Sequence, residues 1–135
     1  MKPIFKLGVV VIAISVFAGV AQAGELSLIN KTSVQELFPK SSVLSPVVGS
    51  NASQLVFLIV RDQNLNPVEG AASLLTVRFP NEVQNWLMPL TDEYGVSQLI
   101  LEIKNQPPGT SAVLEFQVVF DELEASTRDS FRIWW

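Results

Sequence analysis

From Gln54 to Phe79 the chain reads QLVFLIVRDQNLNPVEGAASLLTVRF. An apolar run is followed by a polar turn closed by Pro67 and Gly70, then by a second run in which apolar and polar residues alternate. Leu55–Val60 is continuously apolar and dominated by β-branched and aromatic side chains, which at this length favours a strand over a helix. Both faces of that strand are apolar. One must enter a core, and the other is expected to be covered by a neighbouring segment, because large open apolar patches are uncommon on monomers.

The same two-residue period recurs downstream. Leu75, Val77 and Phe79; Leu99, Leu101 and Ile103; Leu114, Phe116, Val118 and Phe120; and Phe131, Ile133 and Trp135 alternate with polar partners such as Thr76, Arg78, Glu102, Glu115, Gln117 and Arg132. A strand with one face in a core and the other in water has this pattern. Turn signals separate the runs at Pro80-Asn81, Asp92 to Gly95, Asn105 to Gly109 and Asp121 to Asp129. Short strands at this spacing predict an all-β, antiparallel β-sandwich of about seven strands.

Ahead of Gln54 the pattern is weaker. Leu26, Leu28 and Ile29 suit an edge strand, Val34–Phe38 has the spacing of one helical turn, and Pro39 and Pro46 exclude a long helix. An irregular segment with a short strand near Val43–Val48 is expected, then a loop over Gly49–Ser53. The first residues have the order of a secretory signal peptide: Lys2 and Lys6, the apolar stretch Leu7–Val20, and the small-x-small site Ala21-Gln22-Ala23. That stretch falls short of the roughly 20 residues a membrane-spanning helix needs. Residues 1–23 are thus expected to be a leader to the periplasm or exterior, and residues 24–135 one domain without a membrane span.

Two absences narrow the chemistry. There is no Cys, so a chain bound for an oxidising compartment must hold itself together by packing alone. There is no His either, which removes Ser-His-Asp triads, His bases and the usual zinc sites. No cofactor or metal is implied, and no enzyme is expected. The formal charge is −4 and becomes more negative once Lys2 and Lys6 leave, so nucleic acid is not an expected partner. Asp62, Asn64 and Asn66 begin a calcium-loop pattern, but Pro67 stands where Gly is needed and Ser73 where the bidentate Glu belongs. They are read as turn residues. Asp121-Glu122-Leu123-Glu124 is read as a solvated turn, and Glu82, Asp92, Glu93 and Glu102 as lacking the cleft that a carboxylate pair would need. Asn30-Lys31-Thr32 and Asn51-Ala52-Ser53 match the glycosylation pattern, which has meaning only in a eukaryotic secretory route.

Val60-Arg61-Asp62, Asn66-Pro67-Val68-x-Gly70-Ala71 and Thr91-Asp92-x-x-Gly95-Val96 resemble the motifs of bacterial immunoglobulin-like domains of the invasin and intimin type (Big-1). In that family V-x-D-x-x-G-N-P-V-x-G precedes T-D-x-x-G. The resemblance covers about Gln54 to Phe120, with Phe131–Trp135 as closing strand, and Leu65 stands where the family usually has Gly. It implies an immunoglobulin-like fold and a spacer, adhesin or accessory role in envelope or surface proteins, with no chemistry attached. Family members are often repeated in long chains. A single module behind its own leader is expected to use its own surface, most simply to join a protein assembly.

Trp86, Tyr94 and Trp134 are the candidate contact residues, since exposed aromatic rings dominate binding energetics. Trp86 falls in Asn81–Leu90, which has no clean periodicity and is read as a loop. Alternation with Phe131 and Ile133 points Trp134 outward. Val113 and Val119 add a little apolar area to the outer face that they share with Glu115 and Gln117. Two functions stand side by side: a protein-interaction or structural subunit, recognisable by an open strand edge or apolar surface, and a carbohydrate-binding module, recognisable by parallel exposed rings.

Overall fold

A computed structural model describes residues 33–134, and the expected leader, the Leu26–Ile29 strand and Trp135 lie outside the described residues. Eight strands form: β1 Phe38–Val43, β2 Val47–Val48, β3 Ser53–Arg61, β4 Ala72–Arg78, β5 Val83–Leu87, β6 Val96–Glu102, β7 Ser111–Phe120 and β8 Leu123–Ile133. Among the described residues there is no helix. A three-stranded sheet in the order β1-β3-β6 packs on a five-stranded sheet in the order β2-β8-β7-β4-β5. All pairs are antiparallel except the short β2–β8 pair. This is an all-β sandwich with eight strands where about seven were expected.

The period-two runs supply the core. Val56, Leu58 and Val60 of β3 are fully buried, as are Leu75 and Val77 of β4 and Leu114 and Val118 of β7, with Phe116, Phe131 and Ile133 nearly so. Each such side chain contributes about 1.5–3 kcal/mol relative to exposure. No disulfide is needed because both sheets present largely apolar inner faces, interrupted by the buried Gln54, Ser73 and Ser97. The other face of β3 is half covered: Leu55, Phe57 and Ile59 are intermediate in burial, flanked across the sheet by the exposed Phe38 and Ile100.

Three segments differ from their sequence reading. β1 contains Pro39, in a stretch expected to be irregular or to make one helical turn. The Leu44 N–H donates to the Leu55 carbonyl, which puts even-numbered β1 residues in the hydrogen-bonded positions and turns the Pro39 nitrogen away from β3. The chain then leaves this sheet at Ser45-Pro46 and joins β8 through β2. Gln54 holds the crossing: its side chain accepts from Ser45 N at 3.1 Å and donates to the Ser45 carbonyl at 2.6 Å, which is why an amide can be almost fully buried there. The second difference is β8, which begins at Leu123, so most of the expected Asp121–Asp129 turn is strand. Its first half alternates intermediate Leu123, Ala125, Thr127 and Asp129 with exposed Glu124, Ser126, Arg128 and Ser130, a contrast too weak to register as amphipathic. The actual turn is Asp121-Glu122, with Asp121 at φ 52°. The third is β5, described below.

The motif turns are built twice on one plan. Asp62 Oδ1 accepts the N–H groups of Asn64 and Asn66 at 2.8 and 2.9 Å, its carbonyl accepts Leu65 N and its N–H donates to Asn66 O. Asp92 Oδ1 accepts Tyr94 N and Val96 N at 2.9 and 3.0 Å, its carbonyl accepts Gly95 N and its N–H donates to Val96 O. The fourth residue of each loop is left-handed: Leu65 at φ 65° and Gly95 at φ 75°. The carboxylates close turns on their own backbone. Thr91 joins the loops to the core, its hydroxyl donating to the Val68 carbonyl at 2.6 Å and accepting Ala71 N at 2.8 Å.

Candidate interaction surface

β5 was expected to be a loop because Val83-Gln84-Asn85-Trp86-Leu87 shows no alternation. It is the outer strand of the five-stranded sheet, paired with β4 alone, and four of its five residues are exposed. With neither face in the core, nothing selects a two-residue period. What makes it a strand is pairing with β4 and residue types that suit a pleated surface.

The ladder with β4 determines what β5 offers outward. Phe79 N donates to Glu82 O and Met88 N donates to Ser73 O, so Glu82, Gln84, Trp86 and Met88 occupy the hydrogen-bonded positions. The backbone N–H and C=O groups of Val83, Asn85 and Leu87 therefore point away from the sheet. Their side chains lie on its outer face, in line with Arg78, Thr76 and Leu74 respectively. Leu87 is 78% exposed and Val83 is also exposed. Thr76 Oγ1 donates to Asn85 Oδ1 at 2.8 Å, which orients the amide.

Trp86 lies opposite Leu75, on the inner side of the sheet, yet remains 40% exposed because it stands at the rim of the core. Its Nε1–H donates to Gln84 Oε1 at 3.1 Å. Gln84 and Gln106 both donate to Glu82 Oε2, at 3.4 and 2.7 Å. The ring is thus braced by a polar chain along the strand and remains partly exposed.

The other sheet edges are guarded over part of their length. β1 carries Pro39 and lies against β8, where Ser41 Oγ donates to the Arg128 carbonyl. β8 has Glu124 and Arg128 at outward-bonding positions and is joined by β2 at its end. On β6 the backbone of Val96 is occupied by Asp92 and Glu102 stands at the far end, with the outward backbone of Gln98 and Ile100 between them. Charge, proline and local capping are the usual devices against edge pairing. β5 has none of them: no charged residue, no proline and no bulge in its register.

The sequence matches no protein-family model and no curated protein. The residues that carry the resemblance to bacterial immunoglobulin-like domains, Asp62, Pro67, Gly70, Thr91, Asp92 and Gly95, are turn and loop residues here.

The three candidate aromatics are not brought together. Tyr94 is exposed in the Asp92 loop, beside the end of β3. Trp134 is exposed just after β8, its N–H donating to Val48 O, at the pole where β3 begins. The length of β3 separates the two poles by roughly 25 Å. Trp86 sits midway along the lateral edge. No two rings form a parallel platform.

Two concavities lie on the surface of the described residues. A groove of ≈ 650 Å³ is lined by Leu37, Phe38, Lys40, Arg61, Leu65 and Ala125, among others. A second, of ≈ 360 Å³, lies over Leu74, Thr76, Glu115, Gln117 and Ser126. On that outer face Glu115 bridges Arg78 at 3.1 Å and Arg128 at 3.6 Å, exposed pairs worth little to stability. Among the described residues no group of three or more acidic side chains is placed to hold a metal ion, and no helix is long and apolar enough to cross a membrane.

Sequence reasoning singled out Trp86 but missed the edge it belongs to. The available signal was compositional: an uncharged Val-x-x-Trp-Leu stretch bracketed by Pro80 and Pro89.

Proposed function

We propose that this chain is a non-catalytic, secreted immunoglobulin-like module that works through protein contact, as a structural or interaction subunit of a bacterial envelope or surface assembly. The carrying observation is the open edge of β5, with outward backbone groups at Val83, Asn85 and Leu87 beside the exposed Trp86 and Leu87 side chains. An extended segment of another chain adds to such an edge by backbone hydrogen bonding and side-chain contact. The turn motifs of the invasin and intimin type agree with this setting, and the expected leader supplies the route to the periplasm or exterior.

The test is recovery of proteins from the native envelope fraction by the tagged chain, beside a Trp86→Ala, Leu87→Ala variant. Truncating two contact residues is expected to weaken capture by roughly thirty-fold or more. Equal recovery by both forms removes β5 from the contact. Binding on a glycan array without any protein enrichment replaces the proposal with carbohydrate recognition.

A further inference from the structure

We propose that the partner of the β5 edge is a second copy of β5, paired antiparallel about a two-fold axis through Asn85. This rests on the protein-contact reading above and assigns its partner. The outward groups occur at Val83, Asn85 and Leu87, symmetric about the central residue. In the register that sets Asn85 against Asn85 of the second copy, Val83 meets Leu87, and all three residues fall in hydrogen-bonded pairs. Every outward N–H and C=O of the strand is then satisfied. A slip of two residues either way leaves one of the three without a partner.

Side chains agree with the same register. On the outer face the exposed Val83 and Leu87 pair across the axis twice, and on the inner side Gln84 meets Trp86 in the closer, non-hydrogen-bonded positions. No charge meets a like charge within β5, and Glu82, held by Gln106, falls opposite Met88 of the second copy. Two five-stranded sheets would join into one continuous sheet. The contact is a strand edge rather than a broad face, well below the roughly 800 Å² per partner of a standard interface, so self-association is expected near 10–100 μM, on the order of a weak complex.

The full chain has no cysteine, so single substitutions report directly on register. In Asn85→Cys the two thiols meet across the axis with Cα atoms about 5.5 Å apart, a separation a disulfide spans. In Gln84→Cys each thiol faces Trp86 instead. Under mild oxidation Asn85→Cys is expected to form covalent dimer roughly tenfold faster than Gln84→Cys. Asn85→Pro removes an N–H that takes no part in the β4 ladder, so by sedimentation it should remain folded and monomeric at concentrations where the parent chain associates. Equal cross-linking of the two cysteine variants, or a parent chain that sediments as a monomer up to about 1 mM, overturns the pairing. Should the chain stay monomeric while Asn85→Pro loses capture of an envelope protein, the two-fold pairing is wrong and the protein-contact reading stands. Loss of neither property with Asn85→Pro refutes both.

Discussion

Replacing Gly95 by alanine, measured against the same change at Gly70, separates backbone strain from steric exclusion. Both glycines are left-handed, at φ 75° and 84°. A left-handed L-residue costs roughly 1–2 kcal/mol, of which alanine recovers about 0.5–1 kcal/mol through a less flexible unfolded chain. Gly70→Ala should show this difference alone, about 0.5–1 kcal/mol, because its new methyl meets nothing within 4 Å. At Gly95 the added Cβ stands 2.5 Å from the Val60 carbonyl oxygen and 3.2 Å from both Pro67 Cβ and Val68 N. That carbonyl accepts Val68 N at 3.0 Å, and Val60 N donates to the Gly95 carbonyl at 2.8 Å. Val60 is fully buried, so the strand cannot retreat without breaking at least one of these bonds. Leaving a buried backbone group unsatisfied costs about 1–3 kcal/mol, which brings Gly95→Ala to roughly 3–5 kcal/mol with overpacking included. Urea unfolding followed by tryptophan fluorescence reads the difference. With a slope of about 1.5 kcal/mol/M, the midpoint should fall by roughly 2–3 M for Gly95→Ala and by well under 1 M for Gly70→Ala. Costs within about 0.5 kcal/mol of each other would refute the steric account.

Two other substitutions test the same structure from the stabilising side. Ser73 Oγ is buried without a hydrogen-bond partner, so Ser73→Ala should be neutral or should raise stability by up to about 1 kcal/mol in the same titration; a loss beyond about 1 kcal/mol would mean that the hydroxyl is satisfied. Leu65 holds the left-handed position that Gly95 holds in the twin loop and is 71% exposed, so Leu65→Gly relieves strain at little loss of burial and should gain about 0.5 kcal/mol. A clear destabilisation would show that the side chain's contacts in the groove beside Phe38 and Arg61 outweigh the strain.

Legibility followed burial. β3, β4, β6 and β7 were readable because each has an alternating or continuous apolar pattern that only a core demands, and the residues it nominated, such as Val77, Leu101, Leu114 and Phe116, are buried. The turns at Asp62 and Asp92 were readable because Asx residues bond their own backbone, a local effect. β1, the first half of β8 and β5 were not readable, since none of them has a fully buried residue and pairing with a neighbour replaces burial as the cause of the strand. Trp86 was named as a contact residue from its ring alone, while its strand and its polar bracing to Gln84 depend on β4.

By itself, then, the sequence determined the class of fold and the loops, because period-two hydrophobicity and turn chemistry act over a few residues. Tertiary structure decided which strands became edges, the crossing of the first strands at Ser45 and Gln54, and the separation of Trp86, Tyr94 and Trp134. Those features come from pairing between segments far apart in the chain, which leaves no local pattern. The open edge at Asn85 is of that kind: any residue with an outward N–H would expose one, and only the order of strands in the sheet determines that β5 is the last.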